Sequence, residues 1–348
     1  MPNDPSSLEL ADFDFALPPE LIAQEPPPTR DGGRLLCLAR ATGALAHARI
    51  RDLPSQLRPG DLLVVNATRV LPARLRGRKH SGGSAEALLL ASLGDGLHRA
   101  LVRASGRLRA GQQLVFARGC DSLAAEIVAL EPDGSVVLAF ASDASPYALG
   151  ETPLPPYIRR SEPRADDVER YQTSYARVPG SVAAPTAGLH LSPSLLRALD
   201  ARGVERAELL LHVGVGTFRP LGAEQLASRR LHAEAFDLPE QTARAIERTR
   251  ERGGRVVAVG TTTARVLETR AREEGRVAPG RGETELFLAP GDRFRVVDAL
   301  LTNFHLPRSS LLLLVAAFAG REPVLHAYAQ AVRSRYRFYS YGDAMLVQ

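Results

Sequence analysis

Three histidines, with hydroxyl and amide side chains around them, sit where the chain must turn sharply. The stretch Ala183-Ala-Pro-Thr-Ala-Gly-Leu-His-Leu-Ser192 reads as a loop emptying into a helix. Ser192 suits the N-cap and Pro193 the first helical position, where a missing N–H costs nothing. Leu195, Leu196 and Leu199 then share one helical face, and Gly203 ends the helix. Thr186 and His190 thus lie just ahead of free helix N–H groups. The small residues Ala183, Ala184, Ala187 and Gly188 let a ligand approach the main chain. An ordinary connection with a satisfied histidine fits the same residues, so this loop by itself decides little.

Other loops share the pattern. His212 follows an apolar run and leads into Gly214-Val-Gly216-Thr217. Thr261 and Thr262 open a helix behind a buried strand, and Asn303 and His305 follow another strand. In α/β folds such strand ends line the ligand crevice. Histidine exchanges protons near neutral pH. The Thr261–Thr263 run can bind an anion through helix N–H groups or act as a cap. His232-Ala-Glu234 pairs a base with an acid, or forms an exposed strand edge. Gly214-Val-Gly216 lacks the third glycine of a dinucleotide fingerprint, and no phosphate-binding P-loop occurs. Ser309-Ser310 has no nucleophile elbow around it and reads as a cap.

The elements that must position these residues alternate. Arg34–Arg40 and Ala44–Ile50 flank Thr42-Gly43 as a hairpin. Leu62–Val65 is a strand ending in Asn66-Ala-Thr-Arg69. From about Leu71 to Gly150, short β-like runs separated by glycine turns predict a small antiparallel barrel. Arg74, Arg76, Arg78, Lys79 and His80 make a basic strand and turn there, a solvated edge or a phosphate contact. Thr152-Pro-Leu-Pro-Pro-Tyr157 is a stiff return linker, so the barrel is inserted. A helix over 166–177 would put Tyr171 and Tyr175 on one face, as core or as a stacking pair. Beyond it, strands at 206–212, 255–259, 296–302 and 338–346 alternate with helices. The expected fold is α/β, a barrel-like α/β main domain in two parts, 1–70 and 153–348, around a β-barrel domain at 71–152.

Composition narrows the class. A chain of 348 residues has room for about two domains. The first fifteen residues lack a basic then apolar signal pattern, and the longest apolar run, Leu311–Ala319, is short of a span. The expectation is a cytoplasmic protein with no membrane partner. Cys37 and Cys120 are the two cysteines, allowing no cysteine-rich zinc site; a His-carboxylate site stays open, but no HExxH occurs and no metal residue is nominated. Net charge is +5, yet Lys79 is the single lysine among 44 basic residues. An arginine skew of that kind reflects coding bias, so local clusters alone count toward a polyanionic partner.

The chain resembles the S-adenosylmethionine:tRNA ribosyltransferase-isomerase family of queuosine biosynthesis. The resemblance rests on Gly60-Asp61, Asn66, Thr68-Arg69-Val70, Pro72-Ala-Arg74, Leu154-Pro-Pro-Tyr-Ile158 and Tyr171-Gln-Thr173. It continues through Val182-Ala-Ala-Pro-Thr-Ala-Gly-Leu-His190, Leu211-His-Val-Gly214, Gly216-Thr-Phe218, Val259-Gly-Thr-Thr262 and Arg265. Val297-Asp-Ala-Leu300, Thr302-Asn-Phe-His-Leu-Pro307 and Tyr341-Gly-Asp-Ala-Met345 complete it. The barrel region matches weakly beyond Gly77-Arg78-Lys79 and Ser81-Gly82-Gly83.

The resemblance implies transfer and isomerisation of the ribosyl part of S-adenosylmethionine onto 7-aminomethyl-7-deazaguanine at the tRNA wobble position. Epoxyqueuosine-tRNA, adenine and methionine result. S-adenosylmethionine is then a co-substrate, and no cofactor is implied. On this reading His190, His212 and His305 share acid–base duties, while Glu234 and Asp298 oppose the sulfonium. Asn66, Arg69, Thr186, Gly188, Gly214, Gly216, Thr217, Thr261, Thr262, Arg265 and Asn303 hold the rest of the substrate. Arg74, Arg78 and Lys79, with Arg69 beside them, meet tRNA phosphates. A non-catalytic RNA-binding protein and an enzyme of free nucleotides are the alternatives. A cysteine-dependent guanine transglycosylase is disfavoured. The oligomeric state is open, with a monomer favoured.

Overall fold

The computed structural model describes residues 9–141, 144–160, 162, 164–214, 216 and 221–348. Its centre is four parallel strands: β12 (Glu205–Leu211), β3 (Leu62–Asn66), β14 (Val256–Val259) and β16 (Ala299–Asn303). β3, β14 and β16 are buried at every position, as strands covered on both faces must be. Antiparallel strands extend the row to nine. β13 (Arg230–Leu238) and β15 (Gly280–Leu286) lie beyond β12; β17 (Ala344–Val347), β1 (Arg34–Leu38) and β2 (Leu45–Arg49) lie beyond β16. β17 runs parallel to β1 and antiparallel to β16, and the β1–β2 hairpin turns on Gly43 as expected.

Two apolar layers cover this sheet. On one face lie α5 (Glu240–Glu251), α6 (Thr261–Glu273), α7 (Ser310–Ala319) and α8 (Arg321–Arg333). On the other lie the short α1 (Leu53–Gln56) and α3 (Pro193–Ala201). Ser192 caps α3, its Oγ accepting from Leu195 N at 3.1 Å, a contact worth about 1 kcal/mol. Leu195, Leu196 and Leu199 are its buried face, as the spacing predicts. Ser309 caps α7 in the same way. α7 is buried core, and among the described residues no single helix is long and apolar enough to cross a membrane.

The inserted unit is a closed barrel of β5 (Arg74–Lys79), β6 (Ser84–Gly94), β7 (Leu97–Ala104), β8 (Gln113–Arg118), β9 (Asp121–Leu130) and β10 (Val136–Phe140). Alternate residues such as Leu75, Ala87, Leu89, Leu114, Phe116, Ile127 and Leu138 fill it. Every pairing is antiparallel, and joining β10 to both β7 and β9 removes the open edges.

Four local expectations differ from the fold; one is the strand expected over 338–346, which is confined to β17 (Ala344–Val347) behind a turn. The β-like runs expected from about Leu71 begin as a strand only at Arg74; Pro72 lacks the N–H a ladder needs. Thr68–Val70 instead forms β4, paired with β11 (Val178–Ser181). The helix expected over 166–177 shrinks to α2 (Asp167–Arg170), because Tyr171 and Tyr175 are taken into two different apolar clusters. They are core residues rather than a stacking pair. α4 (Ala223–Ser228), β13 and β15 had no clear signal.

Candidate active site

β12, β3, β14 and β16 point the same way, so their carboxyl ends share one edge of the sheet. Asn66, Leu211, Val259 and Asn303 are the last residues of these strands; the loops carrying His212, Thr261 and His305 leave from them, while the Thr186–His190 loop reaches the same edge from the Val178–Ser181 strand. Asn303 joins two of the loops. Its Oδ1 accepts from Thr186 Oγ1 at 2.8 Å, and its Nδ2 donates to His190 Nε2 at 3.1 Å and to Tyr339 O at 3.2 Å. These partners fix the amide and leave His190 Nε2 an acceptor, so the imidazole is neutral. Burial pushes its pKa down to about 4, with Asp343 opposing and Arg337 reinforcing the shift. Tyr339 adopts φ 71°, a left-handed backbone conformation rare for tyrosine, and so presents its carbonyl to Asn303.

A second network centres on Asn66. Its Oδ1 accepts from Leu211 N and Thr68 N, both at 3.1 Å, and its Nδ2 donates to Leu211 O at 2.9 Å. This ties β3 to β12 and places Thr68, whose Oγ1 lies 2.8 Å from His212 Nδ1. Thr262 Oγ1 is 3.5 Å from Asn66 Nδ2, at the start of α6. The two networks meet at Gly260, where a Cβ would lie 3.7 Å from Ala187 Cβ.

The histidines are not equivalent. His212 is half-buried, burial lowers its pKa, and its Nε2 has no hydrogen bond among the described residues. A neutral imidazole held by one nitrogen and free at the other is the arrangement a general base needs. His305 is enclosed: Thr302 Oγ1 lies 2.8 Å from its Nε2, and burial pushes its pKa down to about 3. Strand alternation puts Thr302 and Asn303 on opposite faces of β16, so His305 lies across the sheet from His190.

The profile of the queuosine biosynthesis protein family matches residues 10–347. The chain belongs to that family. It is 51% identical over 344 residues to the S-adenosylmethionine:tRNA ribosyltransferase-isomerase of Pelobacter propionicus, covering 97% of this chain and 99% of the relative. The enzyme of the same name from Anaeromyxobacter dehalogenans is 52% identical over 348 residues, covering 98% and 99%. The crystal structure of S-adenosylmethionine tRNA ribosyltransferase from Thermotoga maritima superposes with a TM-score of 0.57 at 40% identity. That alignment covers 97% of this chain and all of the other.

Several residues that the family resemblance nominated lie elsewhere or are already engaged. Glu234 is buried against Arg265, and its Oε1 accepts from Gly214 N at 2.9 Å. Arg265 also donates to Leu286 O and Thr284 O, each at 3.1 Å. The pair braces α6, β13 and β15, so neither charge is free for a sulfonium or a carboxylate. Asp298 is exposed at the amino end of β16, the far edge from Asn303, where it accepts from Val256 N at 2.8 Å. It is a strand-end cap, not a site residue. Arg69 is exposed, with Thr68 and Val70 buried on either side of it, so it points away from His212.

In the barrel, Lys79 is buried with Nζ 3.2 Å from Arg107 O, which removes it from phosphate contact; Arg78 is exposed. Arg74 donates to Leu154 O at 2.8 Å. Gly188 has Tyr175 Oη where its Cβ would be, at 2.0 Å, so it serves packing as well as access. A Cβ on Gly216 would meet His232 at 2.7 Å. Thr261 is buried at the α6 amino end, and Thr263 bonds back to Val259 O. Thr217 lies outside the described residues.

Sequence reasoning missed Gly180 and Tyr339. Gly180 has φ 149°, and a Cβ there would lie 2.6 Å from the His212 ring, so its bareness seats the imidazole. A lone glycine in the short Val178–Ser181 strand was the available signal.

Proposed function

We propose that this enzyme transfers and isomerises the ribosyl part of S-adenosylmethionine onto 7-aminomethyl-7-deazaguanine at the wobble position of tRNA, releasing adenine and methionine. One observation carries the reading. In a chain similar end to end to enzymes named for this reaction, four adjacent parallel strands deliver Asn66, His212, Thr262 and Asn303 to one edge.

His212 Nε2 is the base that takes a proton from the carbon next to the sulfonium; Thr68 holds its other nitrogen. A positioned base of this kind contributes about 10²–10⁴-fold. Thr186 and Asn303 stand where ribose hydroxyls or the leaving adenine are held, and His190 Nε2, accepting from Asn303, keeps that amide in place. Thr261 and Thr262 offer hydroxyls and the first amides of α6 to an anionic group. The wobble base leaves its stack to enter, at a cost of a few kcal/mol. The enzyme acts as a monomer in the cytoplasm, where its tRNA is, and S-adenosylmethionine is consumed rather than kept as a cofactor.

The test is adenine release from S-adenosylmethionine, with and without tRNA bearing the aminomethyl-deazaguanine base. Wild-type protein releases adenine only with that tRNA, and His212→Ala, folded by circular dichroism, is about 10²-fold slower or worse. Adenine release indifferent to tRNA, or wild-type turnover by His212→Ala, defeats the assignment.

A further inference from the structure

A groove of about 580 Å³ runs where the barrel meets the chain returning from it. Six arginines line it: Arg74, Arg76, Arg118, Arg159, Arg160 and Arg164. Two carboxylates, Glu151 and Asp167, oppose them. Over the whole chain basic and acidic residues nearly balance, 44 to 39, so the groove is a local concentration of charge.

The local structure explains how they gather. Arg74 and Arg76 alternate with Ala73 and Leu75, so the barrel's apolar filling turns both outward. Arg118 comes from β8 and donates to Gly150 O at 2.7 Å; Arg74 donates to Leu154 O. Carbonyls orient these guanidinium groups without cancelling their charge. Arg76 pairs with Glu151, Arg160 with Asp167 and Arg164 with Glu25. Arg74 is 3.8 Å from Glu86. The side chains of Arg118 and Arg159 meet no carboxylate among the described residues. Val168, 56% exposed, stands at the same groove, an apolar side chain left in water beside spare cations.

The groove also backs onto the candidate site. Leu154 and Ile158 on its floor share an apolar cluster with Ala184 and Leu189 of the His190 loop. Tyr341 donates to Asp167 at 3.4 Å and lines a small cleft with His190. One layer of side chains separates the two.

We infer that this groove holds the sugar–phosphate backbone of the tRNA hairpin whose loop base enters the site, and that the Arg78 end of the barrel does not. The inference rests on the tRNA reading above. Guanidinium groups match phosphate oxygens bidentately, and unpaired ones give up least on meeting them.

The test uses the full chain with Arg159→Glu and Arg118→Glu made separately. Arg244→Glu, on the exposed face of α5, serves as an equal-charge control. Arg159 makes no side-chain hydrogen bond among the described residues, so its variant keeps the test meaningful if Arg118→Glu fails to fold. Expected is a KM for tRNA raised about tenfold at low salt, with kcat and the KM for S-adenosylmethionine within about twofold. The slope of log KM against log salt falls by roughly 0.7–0.9 for each phosphate that is no longer neutralised. A wild-type KM and slope in the Arg159 variant, or an Arg78→Glu effect larger than either, overturns the groove. Absence of tRNA-dependent adenine release by wild-type protein overturns the functional reading instead, before any variant is compared.

Discussion

The inserted barrel and the carboxyl edge of the main sheet use polar residues in opposite ways. Among the described residues, the buried polar side chains of the barrel strands and turns are Lys79, His98 and Ser135, while the main domain buries more than twenty. The barrel follows the simple rule: apolar inside, polar outside, with charge displayed on its surface. The main sheet violates that rule at one edge, where Asn66, Thr68, His190 and Asn303 are buried, each with hydrogen-bond partners. Burying polar groups costs stability unless each is paired, so a cluster of them marks a place selected for something other than folding. The contrast separates a unit built to present a surface from one built to hold a site.

Three experiments would break or sharpen this contrast. The largest effect is expected for Arg265→Met, which strands Glu234 as a buried, unpaired carboxylate. Urea unfolding should show a loss of about 3–5 kcal/mol. A loss under about 1 kcal/mol would mean that this buried polarity does not brace the domain.

The next concerns pH. His190 is neutral in the folded protein with its pKa at about 4, whereas an unfolded histidine titrates near about 6.5. The unfolded chain therefore binds the proton first as pH falls. The stability tied to neutral His190 is whole above about pH 6.5 and drains away down to about pH 4. Between pH 7 and 4.5 wild-type protein should lose roughly 2–3 kcal/mol more than His190→Gln, read by unfolding at each pH. Parallel curves for the two proteins would place His190 in a far wetter setting.

The smallest effect is expected in the barrel. Lys79→Met keeps the apolar stem and loses one hydrogen bond, so unfolding should change by less than about 1.5 kcal/mol. A larger loss would show that the barrel too depends on buried polarity.

Much of the fold was legible because it rests on local rules. Short alternating runs with glycine turns marked the barrel between about Leu71 and Gly150, and β5 to β10 all fall within that stretch. Ser192, Pro193 and the leucines behind them marked α3, and Ser309 marked the start of α7. The helix expected at 166–177 was not legible, because its tyrosines answer to clusters formed by distant segments. The site was half legible. Asn66, His212, Thr262 and Asn303 stand at one edge because parallel strands put their carboxyl ends there, whereas His305 lies on the other face of β16 from His190. The partners of Glu234, Arg265, Asp298 and Lys79 were not legible, because a residue type says nothing of its partner. Each is engaged by a group 20 or more positions away in the chain.

The sequence by itself determined the periodicities, the caps, the turns and the order of strands and helices, all of which depend on neighbours within a few residues. It also carried the family's strings. Only the tertiary structure decided which histidine keeps a free nitrogen, which face of β16 each polar side chain takes, and which charges cancel. Those outcomes depend on distance and burial between residues far apart in the chain. Seating the His212 ring on Gly180 and locking His190 through Asn303 are pairings that exist only once the sheet has closed around them.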